Sequence, residues 1–216
     1  IKWGFKYTLQ SERLKALILC ASLIGSLITI LTSYYVSILQ ELDIPAIVIT
    51  IVAAFGSFVS AYSSKKQEGF QKLRKNKSLI TIAQTLAITC FFAGVCGLGA
   101  SKSIILFLLV IVMSLIFNFC QGIYYTSMDK FLKSFSNKKI DTKIFAAKDM
   151  FANIAKAVGG ICAAFLLSKT TTAISMIIVG VVFTIIYMWL EKYMETRVGL
   201  KPEEYSEEET KYDEMK

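Results

Sequence analysis

Five stretches of this sequence are free of charged residues for longer than a lipid bilayer is thick. They cover residues 16–40, 44–64, 78–101, 103–128 and 170–190, with 25, 21, 24, 26 and 21 residues respectively. A helix needs roughly 20 apolar residues to cross about 30 Å of hydrocarbon, where no water is present to satisfy an open backbone. Runs of this length therefore dictate membrane-spanning helices. The mean hydropathy of +0.56 and a 55% hydrophobic content are likewise too high for an ordinary soluble domain of 216 residues.

A sixth stretch, "IFAAKDMFANIAKAVGGICAAFLL" at residues 144–167, is apolar but carries Lys148, Asp149 and Lys156. Its longest uncharged part is residues 157–168. Counting back about 20 residues from its outer end puts Lys148 and Asp149 at the membrane boundary and leaves Lys156 about 12 Å deep, at 1.5 Å rise per residue. We expect this stretch to span as well. The fold class is then an all-α membrane protein with helices over about 14–39, 44–64, 78–100, 103–128, 145–168 and 171–191.

Charge sorts by connection. Of the 24 lysines and arginines, 21 flank the spans on the side that also holds both termini, while the opposite side holds only Lys102 and Lys169. The positive-inside bias places both termini in the cytoplasm. The net charge of +8 is thus a property of short links between apolar spans, without the interleaved aromatics of a nucleic-acid surface. No nucleic-acid partner is expected. Residues 1–13 read as an interfacial or cytoplasmic linker continuing from a preceding half, residues 14–192 as the six-helix bundle, and residues 193–216 as an acidic, disordered cytoplasmic tail.

The chain has no histidine, no phosphate-binding glycine loop and no nucleophile elbow, and its five cysteines lack metal-site spacing. No enzymatic activity, cofactor or metal is expected.

Three spans carry polar faces. The first has Ser22, Ser26, Thr29 and Ser33, with Tyr34 beside them; the fourth has Asn118, Gln121 and Tyr125; the fifth has Asp149, Asn153 and Lys156. Buried amides and charges are tolerated where they face protein or a wet cavity. We take Ser26, Thr29, Ser33, Tyr34, Asn118, Gln121, Tyr125, Asn153 and Lys156 as candidates for a solute path. Hydroxyls bonding back to their own helix, and amides joining neighbouring helices, are the competing structural roles. Small residues at four-residue spacing, Gly56 and Ser60 in the second span and Ala155, Gly159 and Ala163 in the fifth, suit close helix packing. Lys65, Lys66, Gly69 and Arg74 are expected in a cytoplasmic loop.

The six-span layout, the basic link "SSKKQEGFQKLRKNKS" and the stretch "YYTSMDKFLKSFSNKKIDTKIFAAKDMFANIAKAVGGICAAFLL" together resemble the C-terminal six-helix half of a major facilitator superfamily transporter. The resemblance covers residues 11–192. It implies a three-plus-three inverted-repeat bundle whose first and fourth helices line a central path, with the third and sixth facing lipid. The family's signature loop keeps Gly56, Lys65, Lys66 and Gly69 here but lacks its acidic residue. The implied function is half of a secondary transporter moving a small solute, an anion among the options, across the plasma membrane by alternating access. Its partners would be the bilayer and a missing N-terminal half. Two other readings remain open: a self-contained six-span homodimeric channel or scaffold, and the membrane domain of an ATP-driven exporter.

Overall fold

The computed structural model describes residues 12–74, 77–134 and 141–198. They form six helices: α1 (Glu12–Glu41), α2 (Ala46–Arg74), α3 (Ser78–Gly97), α4 (Ile104–Ser134), α5 (Asp141–Leu167) and α6 (Thr172–Val198). All six are long and apolar enough to cross a membrane, and no strand occurs among the described residues.

Helix bounds depart from the expected spans mainly at one end of the bundle. Both α2 and α4 run six or more residues past the expected spans, so Lys65, Lys66, Gly69 and Arg74 lie on the last turns of α2 instead of in a loop. Lysine, arginine, glutamine and glutamate are good helix formers, so a helix leaving hydrocarbon has no reason to stop where charge begins. The extension is also paired: Lys130 Nζ of α4 lies 3.0 Å from Glu68 Oε1 of α2. At the far end α6 continues to Val198, so the first residues of the expected tail are helical. Residues 1–11 and 199–216, which hold the rest of the expected linker and tail, lie outside the described residues.

At the opposite end the turns are tight. After α1, Asp43 takes a left-handed conformation, φ 53°. The amides of Asp43 and Ile44 bond the carbonyls of Gln40 and Leu39 at 3.0 and 3.2 Å, closing a Schellman turn before Pro45. Aspartate is one of the few residues besides glycine that tolerates this conformation. Across the same end, the Thr172 amide donates to Glu41 Oε1 at 3.1 Å, so a carboxylate caps the positive start of α6.

Helix α1 is the centre of the bundle. It packs on α5 and α6, with lesser contacts to α3, α4 and α2, and most of its spanning residues are buried. Tyrosine hydroxyls fix it in place: Tyr124 of α4 donates to the Ala21 carbonyl at 3.0 Å, Tyr187 of α6 to Leu23 at 3.3 Å, and Tyr34 of α1 to Ala163 of α5 at 3.1 Å. Around it, α2 packs on α4, α3 packs on α4 and α6, while α2 and α5 touch little else.

Helix α3 was expected to face lipid, yet much of it is buried between α4 and α6. Its polar residues are accounted for locally. Gln84 Nε2 donates to Glu191 at 2.8 Å, and Thr85 and Thr89 bond their own i−4 carbonyls. Where its end meets α6, Lys77 pairs with Glu195 at 2.8 Å, and that hydrogen bond and charge hold the Lys77 ammonium above the usual lysine range.

The α3–α6 contact is close enough to need glycine. A Cβ on Gly180 would lie 2.7 Å from the Phe91 amide nitrogen, whereas one on Gly160 would meet nothing within 4 Å. Gly180→Val should therefore destabilise the bundle by about 1–3 kcal/mol or more through overpacking, and Gly160→Ala should change it by less than about 0.5 kcal/mol. Thermal exposure of the buried thiols Cys20, Cys90 and Cys120 in detergent measures both.

Candidate functional site

Helices α4 and α5 scarcely touch, and the gap between them is floored by α1. A cavity of about 50 Å³ opens there, lined by Ala21 and Gly25 of α1, by Tyr124, Tyr125, Met128 and Asp129 of α4, and by Lys148, Asp149, Ala152 and Lys156 of α5. It brings charges from two helices together although they are far apart in sequence.

Lys148 spans the mouth. Its Nζ lies 3.4 Å from Asp129 Oδ1 on α4 and 3.3 Å from Asp149 Oδ1 on α5, and 5.1 Å from the centroid of the Phe145 ring. One ammonium thus serves two carboxylates and links two helices that otherwise barely meet. Lys156 lies deeper and is partly buried. Its Cε passes 3.4 Å from where a Cβ on Gly25 would stand, so its stem crosses the face of α1 at the residue that has no side chain. Among the described residues no carboxylate lies within ion-pair distance of Lys156.

From Gly25 the same face of α1 continues through Thr29, Thr32 and Val36, all exposed, with Ser33 beside them. The hydroxyls of Thr29, Thr32 and Ser33 donate to the carbonyls of Gly25, Ile28 and Thr29 at 3.0, 2.8 and 3.3 Å. They present only lone pairs to the open face.

The solute-path candidates divide. Thr29, Ser33, Tyr125, Asn153 and Lys156 are exposed or partly exposed, with Tyr125 and Lys156 in the cleft itself. Gln121 is half-buried one turn before Tyr125. Ser26 instead turns to α5, donating to the Ala155 carbonyl at 3.1 Å and packing against Gly159. Tyr34 is buried against Ala163. Asn118 donates to its own Ser114 carbonyl at 2.8 Å and fills the groove that Gly56 leaves on α2, 2.7 Å from where a Cβ would be. The small residues accordingly sit at helix contacts: Gly56 and Ser60 at α2–α4, where Ser60 meets Gly122, and Ala155, Gly159 and Ala163 at α1–α5.

Gly25 and Asp129 belong to the cleft but were not singled out from sequence, and Lys148 was placed only at the membrane boundary. A signal existed for Asp129. Gln121, Tyr125 and Asp129 follow at four-residue spacing on one face of α4, but Asp129 falls just past the uncharged run.

A larger cavity, about 430 Å³, lies between α5 and α6 and is lined almost wholly by apolar residues including Leu23, Ile30, Val158, Phe165, Ile178 and Phe183. It offers no charged group. Of these two cavities, the α1–α4–α5 cleft is the one that carries charged groups.

Because Cε of Lys156 only just clears Gly25, the cleft should accept a methyl group there but not a longer side chain. Gly25→Ala should leave modification of a single cysteine at Tyr125 by a charged methanethiosulfonate unchanged. Gly25→Leu should slow it at least tenfold by displacing the lysine stem into the cleft.

Compared with protein families, curated proteins and solved structures, the chain matches none of them.

Proposed function

We propose that this bundle is one half of a secondary transporter of the major facilitator type, moving a small solute by alternating access against a second six-helix bundle. The observation that carries the reading is a repeated pattern of faces. Ser22, Ser26, Thr29 and Ser33 of α1 correspond, 92 residues on, to Ser114, Asn118, Gln121 and Tyr125 of α4. Ser26 packs at Gly159 of α5, and its counterpart Asn118 packs at Gly56 of α2.

The second pair of helices repeats as well, at a shift of 103 residues that also superimposes Gly56 on Gly159. Large exposed side chains on α2, Ile51, Phe55, Phe58 and Tyr62, correspond to Ile154, Val158, Ile161 and Phe165 on α5. A second stripe, Thr50, Ala54, Ser57 and Ala61, corresponds to Asn153, Ala157, Gly160 and Ala164, and is exposed except for half-buried Gly160. Helix neighbours exchange in the same way: α2 on α4 matches α5 on α1, α3 on α4 matches α6 on α1, and α3 on α6 matches itself. The matching faces, at shifts of 92 and 103 residues, and the exchange of helix neighbours support a three-plus-three repeat, in which units of three spans each would be inverted in the membrane.

The face also supports a partner. A helix side turned to lipid carries large apolar residues, and α2 and α5 each have one. The small and polar stripes beside it suit close approach of other helices, and between them stand the polar faces of α4 and α1. A second bundle covering this face would enclose the cleft at mid-membrane. The basic ends of α2 and α4 support a reading with both termini cytoplasmic, in the plasma membrane.

Topology is tested by single cysteines in a cysteine-free background. Those at Asp43, Ser101 and Thr171 should react with an impermeant maleimide added to intact cells, and those at Lys77, Lys133 and Thr196 only after lysis. Reaction of the second group in intact cells would overturn the orientation. The half-transporter reading has a separate test. Liposomes holding this chain alone should take up none of a panel of organic acids, sugars and amines, and uptake by them would favour a homodimer that forms its own path.

A further inference from the structure

We infer that Lys156 is an anion-binding residue, and that the cleft takes the carboxylate group of a small solute from the aqueous phase. This deepens the transporter reading and rests on it for the solute's passage, although binding itself does not. Three observations meet at this residue. Its ammonium lies inside the spanning part of α5, where an uncompensated charge is costly. Both carboxylates of the cleft, Asp129 and Asp149, are held by Lys148 at 3.4 and 3.3 Å, and no carboxylate among the described residues lies within ion-pair distance of Lys156. Gly25 leaves the Lys156 stem a path across α1, and Lys156 lines the cleft.

The size of the space narrows the ligand. About 50 Å³ holds a few waters or one carboxylate, at the ~10–15 Å³ that one water needs. Tyr125 lines the same space as Lys156 and carries a hydroxyl able to donate to a second carboxylate oxygen. A phosphodiester head group with its glycerol is too large for the cleft as it stands. The two aspartates carry one negative charge more than Lys148 neutralises, so the site depends on a bound carboxylate lying closer to Lys156 than to Asp129 and Asp149. They set a condition on it: any change that frees one of them supplies Lys156 with a rival internal anion.

The experiment measures thermal stability of the purified chain in nanodiscs of uncharged, zwitterionic lipid, titrated with sodium acetate at constant ionic strength against sodium chloride. Acetate should raise Tm with a saturable dependence, since a ligand that binds only the folded state stabilises it. Lys156→Met should weaken the fitted affinity at least tenfold, and Lys156→Arg should keep it within about threefold. Lys148→Met should also weaken it several-fold by releasing Asp129 and Asp149, and adding Asp129→Asn and Asp149→Asn to that variant should restore it. The restoring variant separates loss of the anion site from simple misfolding. Equal stabilisation of parent and Lys156→Met, or none of the parent, overturns the proposal. So does a Lys156-dependent rise in Tm produced by anionic lipid in the nanodisc but not by acetate, which would make the lipid head group the ligand. Acetate binding without transport by any assembled pair of bundles would leave the anion site standing and remove the transporter reading.

Discussion

Everything in this bundle depends on how tightly its neighbours hold the backbone of α1. In a membrane the apolar effect does not drive helices together, because lipid tails are as apolar as the helices. What remains is close packing and hydrogen bonds to groups that would otherwise be unpaired. Helix α1 uses both. Its small residues Ala16, Cys20, Ala21 and Gly25 let neighbours approach, and Tyr124 and Tyr187 donate from α4 and α6 to its carbonyls at Ala21 and Leu23. Those carbonyls also serve the helix ladder, so the tyrosines use the second lone pair without opening a turn.

A helix fixed in this way can serve as a floor. One of these bonds, from Tyr124 to the Ala21 carbonyl, lies in the cleft itself, so α4 is tied to the floor there. The Lys148 bridge is different in kind. Its partners, Asp129 and Asp149, are both well exposed, so it links α4 to α5 through a pair of the type worth only about 0–1 kcal/mol.

The existence of the six helices was legible in the sequence because hydrocarbon thickness leaves little choice. Helix ends were less so. Sequence reading stops a span at the first charged residue, whereas Lys65, Lys66 and Lys130 continue their helices into water. The polar faces were visible at helical spacing, but which side each residue takes was not. Ser26 and Thr29 are one turn apart, yet Ser26 points at Gly159 while Thr29 stays open. That difference depends on α5 packing in parallel beside α1, a partner chosen over 129 residues of intervening chain. The match between the polar faces of α1 and α4 is hard to see in the sequence because it lies in polarity and not in identity or size, as Ser33 against Tyr125 shows.

The exposed face of α1 and the cleft beside it differ in what they can bond. Beyond Gly25, Thr29, Thr32 and Ser33 have already used their protons on α1 carbonyls, so this face shows acceptors. In the cleft, Lys156 brings donors and a positive charge beside the carboxylates of Asp129 and Asp149. The packing at Gly25 also explains how a lysine is accommodated in this span. The stem passes Gly25, and Lys156 lines a polar cleft together with Tyr125, so protein and cleft border the side chain. The lysine within the span of α5 is accommodated because a neighbouring helix has, at the level its side chain crosses, a glycine.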